Sequence, residues 1–147
     1  MNYYDNINEA IAFSNENADT TIMLYTDTEA AAANSATLVF SGKNTTLDLN
    51  GKRFTGQTIE VSGTLTITGN GNVNSNIVTN ADSALITIEN GEFNGRVSGR
   101  LLLNGGKFAN ITAYTNTLND MLGNGMAYKK KFLQKKLQPL QTKPSAC

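Results

Sequence analysis

Four copies of one short pattern occupy residues 45–111: alternating apolar residues, then Asn and Gly, then one further apolar residue. The copies begin at Leu47, Leu65, Ile86 and Leu101, roughly 18, 21 and 15 residues apart, a spacing typical of architectures in which each repeat packs on the next. Alternation predicts β-strands with one buried face, and Asn-Gly predicts a tight turn after each strand. The pattern therefore predicts a stack of short strands.

Stacking the copies predicts which side chains face the interior. Two inward columns are expected, the first being Leu47, Leu65, Ile86 and Leu101 and the second Leu49, Ile67, Ile88 and Leu103. The outward residues between the columns are Asp48, Thr66, Thr87 and Leu102, and those after the second column are Asn50, Thr68, Glu89 and Asn104. Paired strands lie about 4.8 Å apart, so outward residues are expected to form ladders of side-chain hydrogen bonds. Each such bond contributes only about 0.5–1.5 kcal/mol, so the buried aliphatic columns are expected to supply most of the stability.

The two ends of the chain differ in composition from the repeats. Residues 5–18 carry apolar side chains at helical spacing and predict an amphipathic helix, followed directly by a strand at residues 21–25. Such a helix would cover the strand edges at the first end of a stacked fold. Residues 129–147 contain six lysines and no acid. We therefore expect a flexible basic tail after a single domain that spans residues 1–128.

The residue types that the chain lacks restrict its chemistry. It has no histidine, which removes the usual general base near neutral pH and the commonest transition-metal ligand. Its single cysteine, Cys147, is incompatible with an internal disulfide or a cysteine-based zinc site. Asp and Glu are left as candidates for acid–base catalysis, and we predict no cofactor and no metal site.

Charge is unevenly distributed although the formal net charge is zero. Residues 1–128 carry all twelve acids and six of the twelve bases, a formal −6, and the tail carries +6. An acidic body argues against a nucleic-acid-binding surface. No apolar run reaches the length of a membrane span, and the first residues lack the pattern of a secretory signal.

The repeats resemble those of right-handed parallel β-helix proteins, and more narrowly the pectate-lyase-like repeats of bacterial cell-surface and adhesin-like proteins. The segments that carry this resemblance read LDLNGKRFTG, VSGTLTITGNGNV, ITIENGEFNG and LLLNGGKFAN. The opening INEAIAFSNENADTTIMLYTD is similar to the capping helix and first strand of such proteins, and NDMLGNGMAY to their closing segment. The resemblance implies an all-β fold, a right-handed parallel β-helix (β-solenoid) with an N-terminal capping helix, over residues 5–128. It implies no single activity, because this fold carries lyases, hydrolases, phage tailspikes and inert stalks.

A polysaccharide lyase or hydrolase on such a fold would need carboxylates clustered on one outward face. The candidate acids and cations are Asp48, Glu60, Glu89, Glu92, Arg96 and Arg100. Asp48 and Glu89 are expected in different outward columns, with an intervening copy between them. We therefore predict a solvated strand face and no catalytic residue.

Three other surface features have a structural interpretation. Gly69-Asn70-Gly71 lacks the rest of any nucleotide-binding pattern and predicts a turn. The row Thr64, Thr66 and Thr68 resembles the flat threonine arrays of ice-binding solenoids, but the adjacent copies are expected to interrupt it, which favours simple ladder packing. The lysine cluster is favoured as a solvated tail over a site for acidic polymer or membrane.

These observations favour a non-catalytic structural or adhesive module, outside the cell or on a cell surface or virion, that displays polar ladders to a partner or a surface glycan. A polysaccharide-active enzyme and a self-assembling subunit stay open as alternatives. The second arises because Leu102 is apolar where earlier copies place Asp or Thr. An apolar patch beside an open strand edge is typical of an interface. Leu102 and Tyr114 are therefore predicted to contact another copy or a neighbouring domain.

Overall fold

The chain folds into parallel β-sheets with one short helix. The computed structural model describes residues 4, 6–30, 37–56 and 58–113. The elements in chain order are α1 (Ile7–Glu16), β1 (Thr21–Met23), β2 (Thr28–Ala30), β3 (Leu38–Phe40), β4 (Thr45–Asp48), β5 (Arg53–Gly56), β6 (Ile59–Val61), β7 (Thr64–Thr68), β8 (Asn72–Val73), β9 (Ile77–Thr79), β10 (Leu85–Ile88), β11 (Glu92–Gly99), β12 (Leu101–Leu103) and β13 (Lys107–Ala113). The all-β prediction is therefore confirmed apart from the single helix, which was also expected.

The strands form two sheets, and neighbours in each sheet come from successive repeats. The first sheet has the order β1-β4-β7-β10-β12 and the second has β2-β5-β8-β11-β9-β6-β3, with β13 pairing to β11. Every strand pair within the described residues is parallel. The long strand β11 is shared, because its first part pairs with β8 and its last part with β9. Parallel pairing between successive repeats places like positions side by side.

The predicted inward columns are confirmed for the last three repeats. Ile86 pairs with Leu65 on one side and with Leu101 on the other, and all three are buried. Ile88 pairs in the same way with Ile67 and Leu103. These buried aliphatic columns form the core of the first sheet.

The first repeat is shifted by two residues from the predicted register. Leu47 pairs with Ile67 and Thr45 with Leu65, so the predicted pairs Leu47–Leu65 and Leu49–Ile67 are wrong. Side chains alternate with period two, so a two-residue shift keeps every side chain on its own face. Thr45 takes the place expected for an aliphatic residue. It is fully buried, and its Oγ1 has no hydrogen-bond partner among the described residues.

A column of three phenylalanines and one valine forms part of the core under the second sheet. Phe54 pairs with Val73, Val73 with Phe93, and Phe93 with Phe108. The rings of Phe93 and Phe108 stack with centroids 5.2 Å apart and planes 11° from parallel. The members of this column are the apolar residues that follow the Asn and Gly of the four successive repeats.

The helix α1 packs on β1, β2 and β3, the strands that precede the first repeat. Its N-cap is Asn6, whose side chain accepts a hydrogen bond from the Asn8 amide, and its inner face buries Ala10 and Ile11. The Asn15 side chain links the helix to β3, because its Nδ2 donates a hydrogen bond to the Val39 carbonyl oxygen at 3.0 Å. Its Oδ1 also accepts the backbone N–H groups of residues 41 and 42. The helix predicted at residues 5–18 is thus confirmed with shorter bounds.

Several predictions concern the end of the chain. The closing segment, Tyr114 and the tail at 129–147 lie outside the described residues. None of the helices described has the length and apolar character that a membrane span requires.

Candidate functional site

A row of threonines runs along the outer face of the first sheet. Thr21 pairs with Thr46, Thr46 with Thr66, and Thr66 with Thr87, after which Leu102 ends the row. The prediction that Asp48 occupies this row is wrong, because the two-residue shift places Thr46 there. The expectation that the adjacent copies interrupt the threonines is also wrong for this row, which continues over four strands.

The neighbouring row carries charge. Asp48 pairs with Thr68 on one side. On the other side Ile88 pairs with Ile67, so the next residue, Glu89, lies beside Thr68. Asp48 and Glu89 therefore flank Thr68 in a single row. The prediction that these two acids lie in different columns is therefore wrong. Their carboxylates also limit the flat threonine surface, since only β7 contributes a threonine to both rows.

Each of these acids is held by a hydrogen bond of its own. Asp48 Oδ1 accepts the Asn50 backbone N–H at 3.0 Å, which ties the carboxylate to the turn beside it. Glu89 Oε2 accepts Asn104 Nδ2 at 3.1 Å, which is the ladder contact expected from the sequence. Glu89 therefore bonds to the repeat on the far side from Asp48, and the two acids do not form a hydrogen-bonded pair.

The other two candidate acids lie on the second sheet. Glu60 accepts Asn80 Nδ2 at 2.7 Å, and Glu92 is exposed at the start of β11 between Asn72 and Lys107. Within the described ranges, no three acidic, cysteine or histidine side chains come together as a metal ion would require. The acids are thus dispersed over two faces.

A groove of about 540 Å³ opens on the outer surface of the second sheet where β11 bends. Its lining is Thr58, Asn76, Ile77, Val78, Asn94, Gly95, Arg96, Ser98 and Asn110. The bend coincides with a shift of register between Phe93 and Arg96, where β11 has one more residue than β13. Gly95 lies against the preceding repeat so closely that an added Cβ would be 2.6 Å from the Ser75 carbonyl carbon. A glycine is therefore needed for β11 to pass this close to the backbone of the preceding repeat.

Amide side chains border the groove in a hydrogen-bonded ladder. Asn94 Nδ2 donates to Asn74 Oδ1 at 2.7 Å, and Asn74 Nδ2 donates to Thr55 Oγ1 at 3.2 Å. Asn76 Oδ1 accepts the Arg96 backbone N–H at 2.9 Å. Asn74 has both ends of its amide held by these bonds, whereas Asn76 and Asn94, which line the groove, each have one end held.

The arginine candidates separate into two environments. Arg96 is exposed and lines the groove, whereas Arg100 is exposed at the turn between β11 and β12, away from the groove lining. The asparagines of the groove were not predicted as site residues. Their signal in the sequence is an Asn one to three positions after the apolar residue that ends each of the last three repeats, as in Val73-Asn74-Ser75-Asn76, Phe93-Asn94 and Phe108-Ala109-Asn110.

The predicted interface residue Leu102 lies on β12, beside Thr87, and is half-buried. Its strand is the last of the first sheet, and the outer edge of β12 pairs with no strand in the described ranges. Tyr114, the other predicted interface residue, lies outside the described residues.

Comparison of the chain with protein-family models, with curated proteins and with solved structures found no match.

Proposed function

We propose that this chain is a right-handed parallel β-helix, similar to pectate-lyase-like repeats, that acts as a non-catalytic structural or adhesive module on a cell surface or virion. The observation that carries the proposal is the strand order β1-β4-β7-β10-β12, in which each strand pairs in parallel with the strand of the next repeat. Such stacking produces a stiff rod, because every repeat contacts only its neighbours along one axis. A stiff rod with polar rows on its outside suits display and adhesion.

Ladders on the outer surface support contact with a glycan or a protein partner. Hydrogen bonds between repeats join Asn74 to Asn94 and Glu89 to Asn104. These bonds hold polar side chains at fixed positions before any partner arrives, which lowers the entropy lost on binding. The proposed adhesive role uses this preorganised polar surface.

The competing enzyme hypothesis is tested most directly at Asp48 and Glu89, which share one row. We expect the protein to release no unsaturated or reducing sugar from polyuronates, with or without calcium, because each acid bonds to a different neighbour. Product formation measured by absorbance and reducing-end assays checks this. Product release that is lost in Asp48→Asn or Glu89→Gln, but kept in the exposed control Glu92→Gln, would establish an enzyme and overturn the non-catalytic proposal.

Self-assembly is a second candidate function, favoured by the outer edge of β12, which pairs with no strand in the described part of the chain. A half-buried leucine at the end of a threonine row, beside such an edge, is suited to a contact with another copy or a neighbouring domain. The alternative interpretation of the sequence is that residues 117–128 fold back and cover this edge, which would leave a monomer.

We expect the full chain to associate as its concentration rises, and Leu102→Lys to shift it toward monomer by at least about tenfold in dissociation constant, since a buried lysine charge opposes the contact. Sedimentation equilibrium measures this. Thr87→Lys is the matched control, because it places the same charge one strand further from the edge in the same row. A monomer at every concentration, or an equal shift in both variants, would contradict self-association through this edge.

A further inference from the structure

We propose that the peptide between Asn90 and Gly91 is a site of spontaneous deamidation, at which Asn90 is converted to aspartate and isoaspartate without an enzyme. The described ranges contain five Asn-Gly pairs, which begin at Asn50, Asn70, Asn90, Asn94 and Asn104. Such pairs are reactive because glycine has no side chain to shield its backbone nitrogen from the asparagine before it. This inference goes beyond the structural or adhesive function proposed above and does not rest on it.

The reaction closes a ring and then opens it with water. The Gly91 backbone nitrogen gives up its proton and attacks the side-chain carbonyl carbon of Asn90. A C–N bond forms, and Nδ2 leaves as ammonia with that proton. Water then adds to either carbonyl of the succinimide and breaks one of its two C–N bonds, which gives aspartate or isoaspartate. Hydrogen bonds to the side-chain amide, to the glycine N–H or to the carbonyl between them oppose the ring closure, because they hold the peptide in place.

The first Asn-Gly pair is held at both of its reacting groups. Asn50 Nδ2 donates to the Leu24 carbonyl oxygen at 2.9 Å, and the Gly51 N–H donates to the Asn70 carbonyl oxygen. The second of these bonds also holds the carbonyl of the next pair. An added Cβ at Gly71 would lie 2.5 Å from a backbone oxygen of the preceding repeat, so the second pair is closely packed as well.

The last two described pairs are held by neighbouring repeats. Asn104 Nδ2 donates to Glu89 Oε2 at 3.1 Å, and the Gly105 N–H donates to a backbone carbonyl of β10 at 3.2 Å. Asn94 Nδ2 donates to the preceding repeat at 2.7 Å, and Gly95 lies within β11, tight against the backbone of that repeat. Ring closure at either pair therefore requires bonds between repeats to break.

The pair at Asn90 has none of these restraints. Its side chain is exposed, and its amide, its carbonyl oxygen and the Gly91 N–H form no hydrogen bond within the part of the chain that the structure describes. The Gly91 carbonyl accepts the Lys107 N–H at 2.9 Å, but this bond lies beyond the attacking nitrogen. An added Cβ at Gly91 would meet side-chain atoms of Phe93 and Leu49 at 3.0 and 3.1 Å, not backbone. This peptide can therefore rotate for attack at the least cost.

Both products change the protein at the turn between β10 and β11. Either one adds a carboxylate next to Glu89, at the end of the row that it shares with Asp48 and Thr68. Isoaspartate also runs the backbone through Cβ, which lengthens the turn by one atom. Modified molecules are therefore more acidic than fresh ones and can be separated from them by ion exchange.

The test incubates the full chain in mildly alkaline buffer, where the glycine nitrogen loses its proton more readily. Mass spectrometry after proteolysis follows each Asn-Gly peptide through the replacement of NH2 by OH, and an isoaspartyl methyltransferase labels the isoaspartate. We expect Asn90 to react at least about tenfold faster than Asn50 or Asn104, the factor in rate that corresponds to breaking one or two hydrogen bonds. In urea, where the neighbouring repeats are lost, the pairs are expected to react at similar rates.

Two variants identify the site independently of the peptide map. Asn90→Gln is expected to remove the early acidic species, because glutamine must close a larger and less favourable ring. Asn70→Gln is the matched control, since it changes another exposed Asn-Gly pair, and it should keep that species. The proposal is overturned if Asn90 reacts no faster than Asn50 or Asn104 in buffer, or if the early acidic species is lost in Asn70→Gln instead. The same order of rates in urea as in buffer would also overturn it, because local sequence and not the fold would then select the site.

Discussion

Replacing Ile67 with aspartate is expected to abolish cooperative folding. Ile67 is fully buried in β7, the middle strand of the first sheet, where its neighbours in the column are Leu47 and Ile88. A carboxylate there must either stay ionised without a partner or take up a proton, and both cost free energy. We therefore expect the free energy of unfolding to fall by at least about 4 kcal/mol. Because small domains are stable by only about 5–15 kcal/mol, this loss is expected to unfold much or all of the protein. Urea unfolding followed by circular dichroism measures it.

The control is Thr66→Asp, one residue away on the outer face of the same strand. Thr66 is half-exposed between Thr46 and Thr87, so its aspartate stays hydrated and we expect a loss of about 1 kcal/mol or less. This pair separates burial from charge, since both variants add the same carboxylate to β7. Comparable loss in the two variants would show that the inward and outward faces of β7 have been assigned wrongly.

The second large effect is expected for Gly69→Ala, at the turn after β7. Gly69 has φ +83°, and an added Cβ would overlap Asp48 Oδ1 and lie 2.8 Å from the Asn50 backbone N. The left-handed conformation is unfavourable for alanine, and the clash with backbone requires neighbouring strands to move apart. We expect a loss of about 3 kcal/mol or more in the free energy of unfolding.

Gly51→Ala is the matched control for this substitution. Gly51 has a similar φ of +77°, but the nearest atom to its added Cβ, the Asn70 carbonyl oxygen, is 4.0 Å away. Only the conformational cost of about 1 kcal/mol is then expected. Thermal unfolding of both variants isolates the contribution of close packing between repeats. If the two variants lose the same stability, contact between Gly69 and the preceding repeat is not what limits the turn.

Much of the fold can be predicted from the sequence because it depends on local alternation. The period of two in Leu65-Thr66-Ile67 assigns each side chain to a face, and burial in the structure follows it. The helix at Ile7–Glu16 likewise follows from apolar spacing and the N-cap Asn6. These features depend on neighbours in the chain, so they require no knowledge of what packs against them.

Pairing between repeats was decided by the tertiary structure. Thr45 occupies a core position, but its polar hydroxyl does not fit the apolar pattern of the repeat. From the sequence, the first repeat therefore appeared to begin two residues later than it does. That shift places Asp48 and Glu89 in one row and Thr46 in the threonine row. The groove also arises between repeats, at the extra residue of β11 beside Arg96. Alternation repeats every two residues and is unchanged by a slide of two, so the sequence determined which face each side chain occupies, and only the packing of whole strands determined which residue lies beside it.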